Sequence, residues 1–269
     1  MTTPKNPGTA LITGASSGMG AIYADRLAHR GYDLVLVARN REGLEQLAKR
    51  LRDETGRTVK VVAADLKDRR DVLQVEVLLR SDPGITFLVN NAGVGSTAAV
   101  LNADVDKMED MIALNVTALT RLSYAAIPGF IARRGGTIVN ISSIVGIAPE
   151  LLNGVYGGTK AYVLAFTRSL HHELASQGIR VQAVLPGATA TPFWDSAGTP
   201  IEHLPQELQA RVMSAANVVD AALAGLDQGE LMTIPSLPDV ADLAAFEAAR
   251  KTLLPNLSRA RPADRYNVR

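Results

Sequence analysis

The sequence predicts an α/β protein: a doubly wound parallel sheet of about seven strands with helices on both faces. Three observations carry that expectation. From Thr9 to Leu185, short apolar runs alternate with helically spaced segments, joined by short connections. The runs are continuously apolar rather than alternating, as in parallel strands buried on both faces. The conspicuous glycines and polar residues collect at the carboxyl ends of the runs: the turn after Thr13, Arg39, Asp65, Asn90-Asn91, Ser143 and Pro186-Gly187. Open sheets of this kind bind ligands along that edge.

Thr9 to Thr13 reads as the first strand, followed by Gly14-Ala15-Ser16-Ser17-Gly18-Met19-Gly20 and a helix from Ala21 to Arg30. Strand, glycine-rich turn and helix form a dinucleotide-binding context. The glycines let backbone N–H groups approach a pyrophosphate at a helix N-terminus, where the dipole favours negative charge. The spacing is Gly-x-x-x-Gly-x-Gly rather than Gly-x-Gly-x-x-Gly. Asp33 to Ala38 is the second strand, and Arg41 to Asp53 a helix with Leu44, Leu47, Ala48 and Leu51 on one face. Val59 to Ala64 is the third strand, ending at Asp65-Leu66, and a helix through Val72, Val75 and Leu79 breaks at Asp82-Pro83-Gly84. Ile85 to Asn90 is the fourth strand, running into Asn91-Ala92-Gly93, and Asp104 to Phe130 reads as one long helix containing Asn115. Gly136 to Ser142, the helix Gly154 to Ser176 and the strand Ile179 to Leu185 complete the alternation.

Beyond Leu185 the rhythm changes. Residues 188–212 contain prolines and glycines together with Phe193 and Trp194, the only tryptophan, and are expected to form a substrate lid. Asn217 to Asp227 returns to a helix, Leu231 to Ile234 reads as a last edge strand, and 236–269 forms a C-terminal extension with a helix from Pro238 to Leu257 and an arginine-bearing tail. The whole span 1–269 is expected to be a single dinucleotide-binding domain.

Composition narrows the function classes. The 269 residues are 47% apolar and 20% charged, with a net charge of +1, so no global field points to nucleic acid or membrane. There are no cysteines, which excludes disulfides, thiolate chemistry and Cys-ligated zinc. The N-terminus is short and polar, and no apolar run approaches the ~20 residues of a membrane helix. A cytoplasmic protein is expected.

The chemistry centres on Ser143, Tyr156 and Lys160. Tyr156 and Lys160 are four apart and share one face of a helix. A free tyrosine has a pKa of ~10, and an ammonium beside it would favour the phenolate and bring the group towards the range for proton transfer. A serine from a neighbouring strand end could hold a substrate oxygen meanwhile. Each element has a plainer reading. Tyr156 and Lys160 could be a surface pair, Ser143 a strand-end cap, Asn115 a solvent-facing helical residue, and Asp65 the N-cap of the following helix. His171-His172-Glu173 reads as a solvated helix face, since adjacent helical residues diverge by ~100°, and no metal site is expected. Gly14-Ala15-Ser16-Ser17-Gly18 matches the hydrolase elbow in form but follows the first strand and lacks an upstream oxyanion loop.

Taken together, Thr13-Gly14-x-x-x-Gly18-x-Gly20, Asp65, Asn91-Ala92-Gly93, Asn115, Ser143, Tyr156-x-x-x-Lys160 and Pro186-Gly187-x-x-x-Thr191 resemble, in order and spacing, the short-chain dehydrogenases/reductases, over residues 9 to 235. The resemblance implies a Rossmann-like fold and a role for each position. Tyr156 would be the acid/base on the substrate oxygen, Ser143 would hydrogen-bond the same oxygen, and Lys160 would lower the tyrosine pKa and hold the ribose hydroxyls. Asn115 would position a water linking Lys160 to solvent. The turn Gly14, Ser16, Ser17, Gly18, Met19 and Gly20 would hold the pyrophosphate, Asp65 and Leu66 the adenine, and Asn91 the adenosine ribose, next to Ala92 and Gly93. Thr189 and Thr191, after Pro186 and Gly187, would meet the nicotinamide carboxamide. Gly157-Gly158 depart from the Ser-Ala common in the family, keeping small residues near the cofactor at some cost in helix propensity. The extension beyond Ile234 departs as well.

Cofactor choice also follows from chemistry. The acid that binds a ribose 2′-OH in NAD enzymes ends the second strand; here that position is Ala38, followed by Arg39. A missing carboxylate and an arginine fork suit a 2′-phosphate, so NADP(H) is expected. The expected function is an NADP(H)-dependent oxidoreductase interconverting a carbonyl and a secondary alcohol. Its substrate wall would comprise Ile144, Val145, Leu151, Leu152, Phe193 and Trp194, with Ser143 and Tyr156 at the reacting oxygen, and it suits a neutral or apolar substrate. A non-catalytic dinucleotide-binding sensor or scaffold is the competing class, and epimerase or dehydratase chemistry on the same fold a third. A homodimer or homotetramer through helices 104–130 and 154–176 is expected from the resemblance.

Overall fold

The computed structural model describes residues 7–152 and 154–267, in two units, Met1–Pro235 and Ser236–Arg269. In the first unit, β1 (Thr9–Thr13), α1 (Gly18–His29), β2 (Asp33–Ala38), α2 (Arg41–Thr55), β3 (Val59–Ala63), α3 (Arg69–Ser81) and β4 (Ile85–Asn90) build one half of a sheet. The other half follows through α4 (Val105–Ile112), α5 (Leu119–Ala132), β5 (Gly136–Ile141), α6 (Gly154–Leu174) and β6 (Ile179–Val184). A short segment carries β7 (Thr189–Ala190), α7 (Phe193–Ala197), α8 (Gln206–Gln209) and β8 (Met213–Ser214), before α9 (Ala215–Asp227) and β9 (Met232–Thr233). The sheet is seven-stranded and parallel in the order β3-β2-β1-β4-β5-β6-β9. Strand order reverses between β1 and β4, and that switch point opens a crevice at the carboxyl edge.

The continuous apolar strands are explained by two cores. Successive side chains point to opposite faces. Ile12, Leu34 and Leu36 therefore meet Tyr23, Leu27, Leu44 and Leu223 on one side, while Leu11, Val35 and Val37 meet Val72, Val75, Leu122 and Phe130 on the other. Each fully buried Leu or Phe contributes ~1.5–3 kcal/mol. The doubly wound sheet follows from needing both faces covered.

Two features shape the carboxyl edge where Ser143, Tyr156 and Lys160 lie. The expected helix 104–130 is interrupted: α4 passes into a π-helical turn, Ala113–Ala118, before α5. The wider turn carries Asn115, which is 1% exposed, inward. Beneath the edge lies a buried polar ladder. Asn90 Nδ2 donates to Ser123 Oγ at 3.0 Å and to Asn140 Oδ1 at 2.9 Å, and Asn140 Nδ2 donates to Thr167 Oγ1 at 3.0 Å. It ties β4 and β5 to α5 and α6, so the helix that carries Tyr156 is fixed in register against the strands. Asn90, at a strand end in the sequence, is thus a scaffold residue.

The second unit contains α10 (Val240–Thr252), N-capped by Asp239, whose carboxylate accepts from Ala241 N at 2.8 Å. None of its residues is buried. Among the described residues, no helix is long and apolar enough to cross a membrane.

Candidate active site

The glycine turn is built for close approach of a ligand to backbone. Gly14 and Gly18 adopt φ of 66° and 53°, the left-handed region open to glycine. A Cβ on Gly20 would collide with the Gly14 carbonyl and come within 2.6 Å of Asn91 Nδ2. The turn therefore folds on itself and against the β4 edge. Thr13 Oγ1 locks this arrangement, donating to Val89 O at 3.2 Å and accepting from the N–H groups of Asn91 and Ala92 at 3.0 Å each. Asn91 Nδ2 donates back to Thr13 O at 2.9 Å and Gly14 O at 3.3 Å. Its amide hydrogens are spent on the scaffold, so a ribose contact from Asn91 has only its oxygens available.

Farther along the same edge, Ala38, Arg39 and Asn40 line the cleft with Ser16, Ser17 and Met19. Asn40 caps α2, accepting from Gly43 N at 3.1 Å, and Arg39 beside it lines the cleft wall. Asp65 and Leu66 line it as expected, but the N-cap of α3 is Asp68, accepting from Asp71 N at 3.3 Å and Arg70 N at 2.6 Å. Asp65 instead closes the preceding turn by accepting from Lys67 N at 3.0 Å. Five residues of loop, 64–68, separate strand from helix here, and spacing alone does not tell which aspartate reaches the free N–H groups.

The catalytic candidates converge where β5, α6 and the π-turn meet. Ser143, Tyr156 and Lys160 are 8%, 6% and 6% exposed, which rules out a surface pair. Ser143 and Tyr156 share a side-chain hydrogen bond. Ser143 Oγ also donates to Pro186 O at 3.3 Å and accepts from Val145 N at 3.3 Å. Lys160 Nζ donates to Ile141 O at 2.9 Å and lies 5.7 Å from the Tyr156 ring centroid. Ser142 Oγ donates to Lys160 O at 2.7 Å, pinning the helix to the strand end. The Asn115 side chain is fully engaged. It accepts from Val94 N at 3.0 Å, donates to Val94 O at 2.8 Å, and donates to Thr159 Oγ1 at 3.1 Å. Asn115 is therefore a clamp holding the loop after β4 to the Tyr-Lys turn, through Thr159.

The electrostatics differ from the expectation for an isolated Tyr-Lys pair. Burial pushes the Tyr156 phenol up to about 12, with the Ser143 hydrogen bond pulling the other way. Burial also brings the Lys160 ammonium down to about 8. The lysine is turned to a backbone carbonyl, so desolvation of the phenolate outweighs its attraction here.

At the other end of the cleft, which measures about 1160 Å³, Val145, Leu152, Phe193 and Trp194 form apolar wall together with Ile144, Leu151, Val94 and Met108. Phe193 packs 5.6 Å from the Tyr156 ring. Trp194 is 5% exposed and its Nε1 donates to Thr189 O at 3.0 Å, so most of its ring packs inside the segment 188–212 rather than facing the cleft. Thr189 Oγ1 donates to Gly187 O at 3.0 Å, and Thr191 Cγ2 sits against Gly18, where an added Cβ would lie 3.2 Å away. Of the glycine pair, a Cβ on Gly157 would lie 2.8 Å from Pro149 Cβ, and Gly158 faces open space; neither lines the cleft.

Comparison with known proteins decides the family. The family model described as short chain dehydrogenase matches residues 8–201. The chain belongs to the short-chain dehydrogenases. A short-chain dehydrogenase from Sphingobium yanoikuyae, solved in complex with NADPH, is 47% identical with a TM-score of 0.91, covering 96% of this chain and 98% of that one. A bulky-bulky ketone specific alcohol dehydrogenase from Comamonas testosteroni is 44% identical with a TM-score of 0.88, covering 97% and 99%. An uncharacterized oxidoreductase of Staphylococcus epidermidis is 31% identical over 220 residues, 81% of this chain and 90% of that protein.

Within this short-chain dehydrogenase, the sequence motifs and the cleft coincide closely: of the residues expected to bind cofactor, only Gly20 lies behind the lining, where it packs under Gly14. Sequence reasoning passed over Thr159, Gly95, Thr97 and Lys67. Thr159 had a usable signal, since it lies between Tyr156 and Lys160. The others act through contacts between distant segments, such as Lys67 Nζ to Asp110 Oδ2 at 2.6 Å.

Proposed function

We propose that this short-chain dehydrogenase is an NADP(H)-dependent oxidoreductase that interconverts a carbonyl and a secondary alcohol, with Tyr156 as the acid/base. The observation that carries the reading is the buried, hydrogen-bonded Ser143–Tyr156 pair with Lys160 one helical turn away, opening into the same cleft as the glycine turn. A binder would have no chemical need of that arrangement. The glycine turn has the cradle that a pyrophosphate requires: Gly14 and Gly18 line the cleft at positive φ, and Gly20, without a Cβ, lets the turn close behind them. Gly14, Ser16, Ser17, Gly18, Met19 and Gly20 would hold the pyrophosphate and Arg39 the 2′-phosphate. Asp65 and Leu66 would flank the adenine, Asn91, Ala92, Gly93 and Lys160 the riboses, and Pro186, Gly187, Thr189 and Thr191 the nicotinamide. Arg39, just after β2, with Ala38 standing where the acid of an NAD enzyme would be, supports NADP(H) over NAD(H), as does the NADPH complex of the Sphingobium relative.

When bound, the cofactor supplies the hydride. The chain's own residues handle the oxygen. In reduction, the Tyr156 hydroxyl gives its proton to the carbonyl oxygen while Ser143 donates a hydrogen bond to it. A phenol held near 12 keeps that proton throughout the neutral range. In oxidation, Tyr156 must first lose its proton, and the Lys160 ammonium stabilises the resulting phenolate. Asn115 and Thr159 hold the loop and the helix so that these groups stay in register. The substrate is a neutral carbonyl with bulky apolar groups, in keeping with the apolar wall and the ketone specificity of the Comamonas relative. The homo-oligomer forms through α5 and α6, where Tyr124, Phe166 and Tyr162 stack with centroids 6.2 and 5.7 Å apart. Tyr124→Arg is expected to give a smaller species by light scattering.

The test is an NADPH-oxidation screen over aldehydes, ketones and quinones, with Tyr156→Phe as control. Turnover of a ketone that disappears in the variant supports the reading. A wild type that prefers NADH, or a variant as active as wild type, overturns the cofactor or the acid/base assignment respectively.

A further inference from the structure

The loop after β4 and the lid are latched together beside Tyr156. Thr97 N and Thr97 Oγ1 both donate to Ala197 O at 3.0 Å, and Thr97 Oγ1 meets Thr199 Oγ1 at 2.9 Å. Two residues upstream, buried Gly95 receives the Phe193 ring. A Cβ at 95 would lie 2.6 Å from Phe193 Cε2 and closer still to Cζ, far inside any real carbon–carbon contact. The ring therefore occupies the space that a side chain at 95 would take.

Phe193 is bounded by aromatic rings on two further sides and opens onto the cleft. Its ring neighbours are Tyr156, with centroids 5.6 Å apart, and Trp194, edge-on at 5.7 Å. Trp194 is itself buried and bonded to Thr189 O. A ring pushed off Gly95 must enter the cleft beside the Tyr156 hydroxyl or lift α7 and break the Thr97 bonds. We propose that Gly95 and Phe193 are a specificity-determining pair: the bare backbone at 95 seats the Phe193 ring, and that seat sets the size of the group accepted beside Tyr156. The proposal rests on the carbonyl-reducing reading above and names the residues that fix its substrate size.

The experiment compares kcat/KM for benzophenone and butanone in wild type, Gly95→Ala, Phe193→Ala and the double variant. The emission of Trp194, the only tryptophan, reports the ring's seat independently of turnover. Gly95→Ala is expected to lower the benzophenone-to-butanone ratio by about tenfold or more, the scale of a one-carbon change in an apolar pocket, and to change the Trp194 emission. In the Phe193→Ala background, Gly95→Ala should move neither quantity. If Gly95→Ala does not fold, Phe193→Tyr takes its place as the overlapping variant, because it adds an oxygen to the ring atom nearest Gly95; the same fall is expected. A ratio within twofold of wild type with unchanged emission overturns the pair. So does an equal fall in the Phe193→Ala background, which would assign the effect to the new methyl alone. A wild type that reduces no carbonyl overturns the underlying reading, and the size role with it.

Discussion

The two ends of the cleft are built in different ways. At the cofactor end, the recognition surface is mostly backbone: Gly14 and Gly18 at positive φ, Gly20 under the Gly14 carbonyl, and Thr13 bonding two successive N–H groups. At the substrate end, the surface is apolar side chains from segments far apart in the chain, Val94 and Gly95 against Phe193, and Val145 and Leu152 against Tyr156. Backbone cradles tolerate almost no added atoms but are nearly indifferent to what surrounds them. Side-chain walls can be resized, and the pocket's preference changes with them. Tyr156 stands where the two meet.

The largest break in this comparison should come at the junction. Lys160→Met is expected to lower kcat/KM by about 10³-fold, within the range of a lost proton-transfer partner, without lowering the melting temperature near neutral pH. Lys160 is held at about 8, below its ordinary 10.5, so folding favours its neutral form. The unfolded chain binds the extra proton between those values, and stability therefore rises with pH from about 8 to 10.5. The variant should lose that rise in denaturation measured across alkaline pH.

Next is the cofactor end. Gly20→Ala places a methyl against the Gly14 carbonyl and 2.6 Å from Asn91 Nδ2. Overpacking of this kind costs about 1–3 kcal/mol, so the NADPH Kd should rise by up to ~100-fold in a fluorescence titration. Arg39→Asp should lower the NADPH-to-NADH ratio of kcat/KM by ~10–100-fold, the scale of a hydrogen bond to a charged group.

Much of the cofactor end was legible because glycines at positive φ and polar residues at strand ends leave a local imprint. Asp33–Ala38, which closes on Ala38 rather than an acid and is followed by Arg39, predicted both the buried strand and NADP(H) as the cofactor. The substrate end left less. Gly95 reads as an ordinary loop glycine until Phe193, almost a hundred residues later, is seen lying on it. The π-turn at Ala113–Ala118 keeps the apolar spacing of a plain helix, so the sequence pattern continued through it. Asp65 and Asp68 are both plausible caps, and only the fold of the loop selects Asp68. Asn115 is expected from the resemblance to hold a water near Lys160, whereas the contacts of its side chain are to Val94 and Thr159.

The smallest effect separates two adjacent glycines on α6. Gly157→Ala meets Pro149 at 2.8 Å and should destabilise, by ~1–3 kcal/mol. Gly158→Ala enters open space and should stabilise by ~0.5–1 kcal/mol through backbone entropy alone. Calorimetry on the two variants reads opposite signs if the packing of the Tyr-Lys helix is as described.

The most direct test of Tyr156 as the acid/base is the pH dependence of alcohol oxidation with NADP⁺. Loss of a proton from a group well above neutrality makes the active fraction grow tenfold per pH unit. The expected profile of log kcat/KM therefore has a slope of one through the neutral range in wild type, and Tyr156→Phe shows no such limb. A flat wild-type profile, or the same rising limb in Tyr156→Phe, would contradict the assignment.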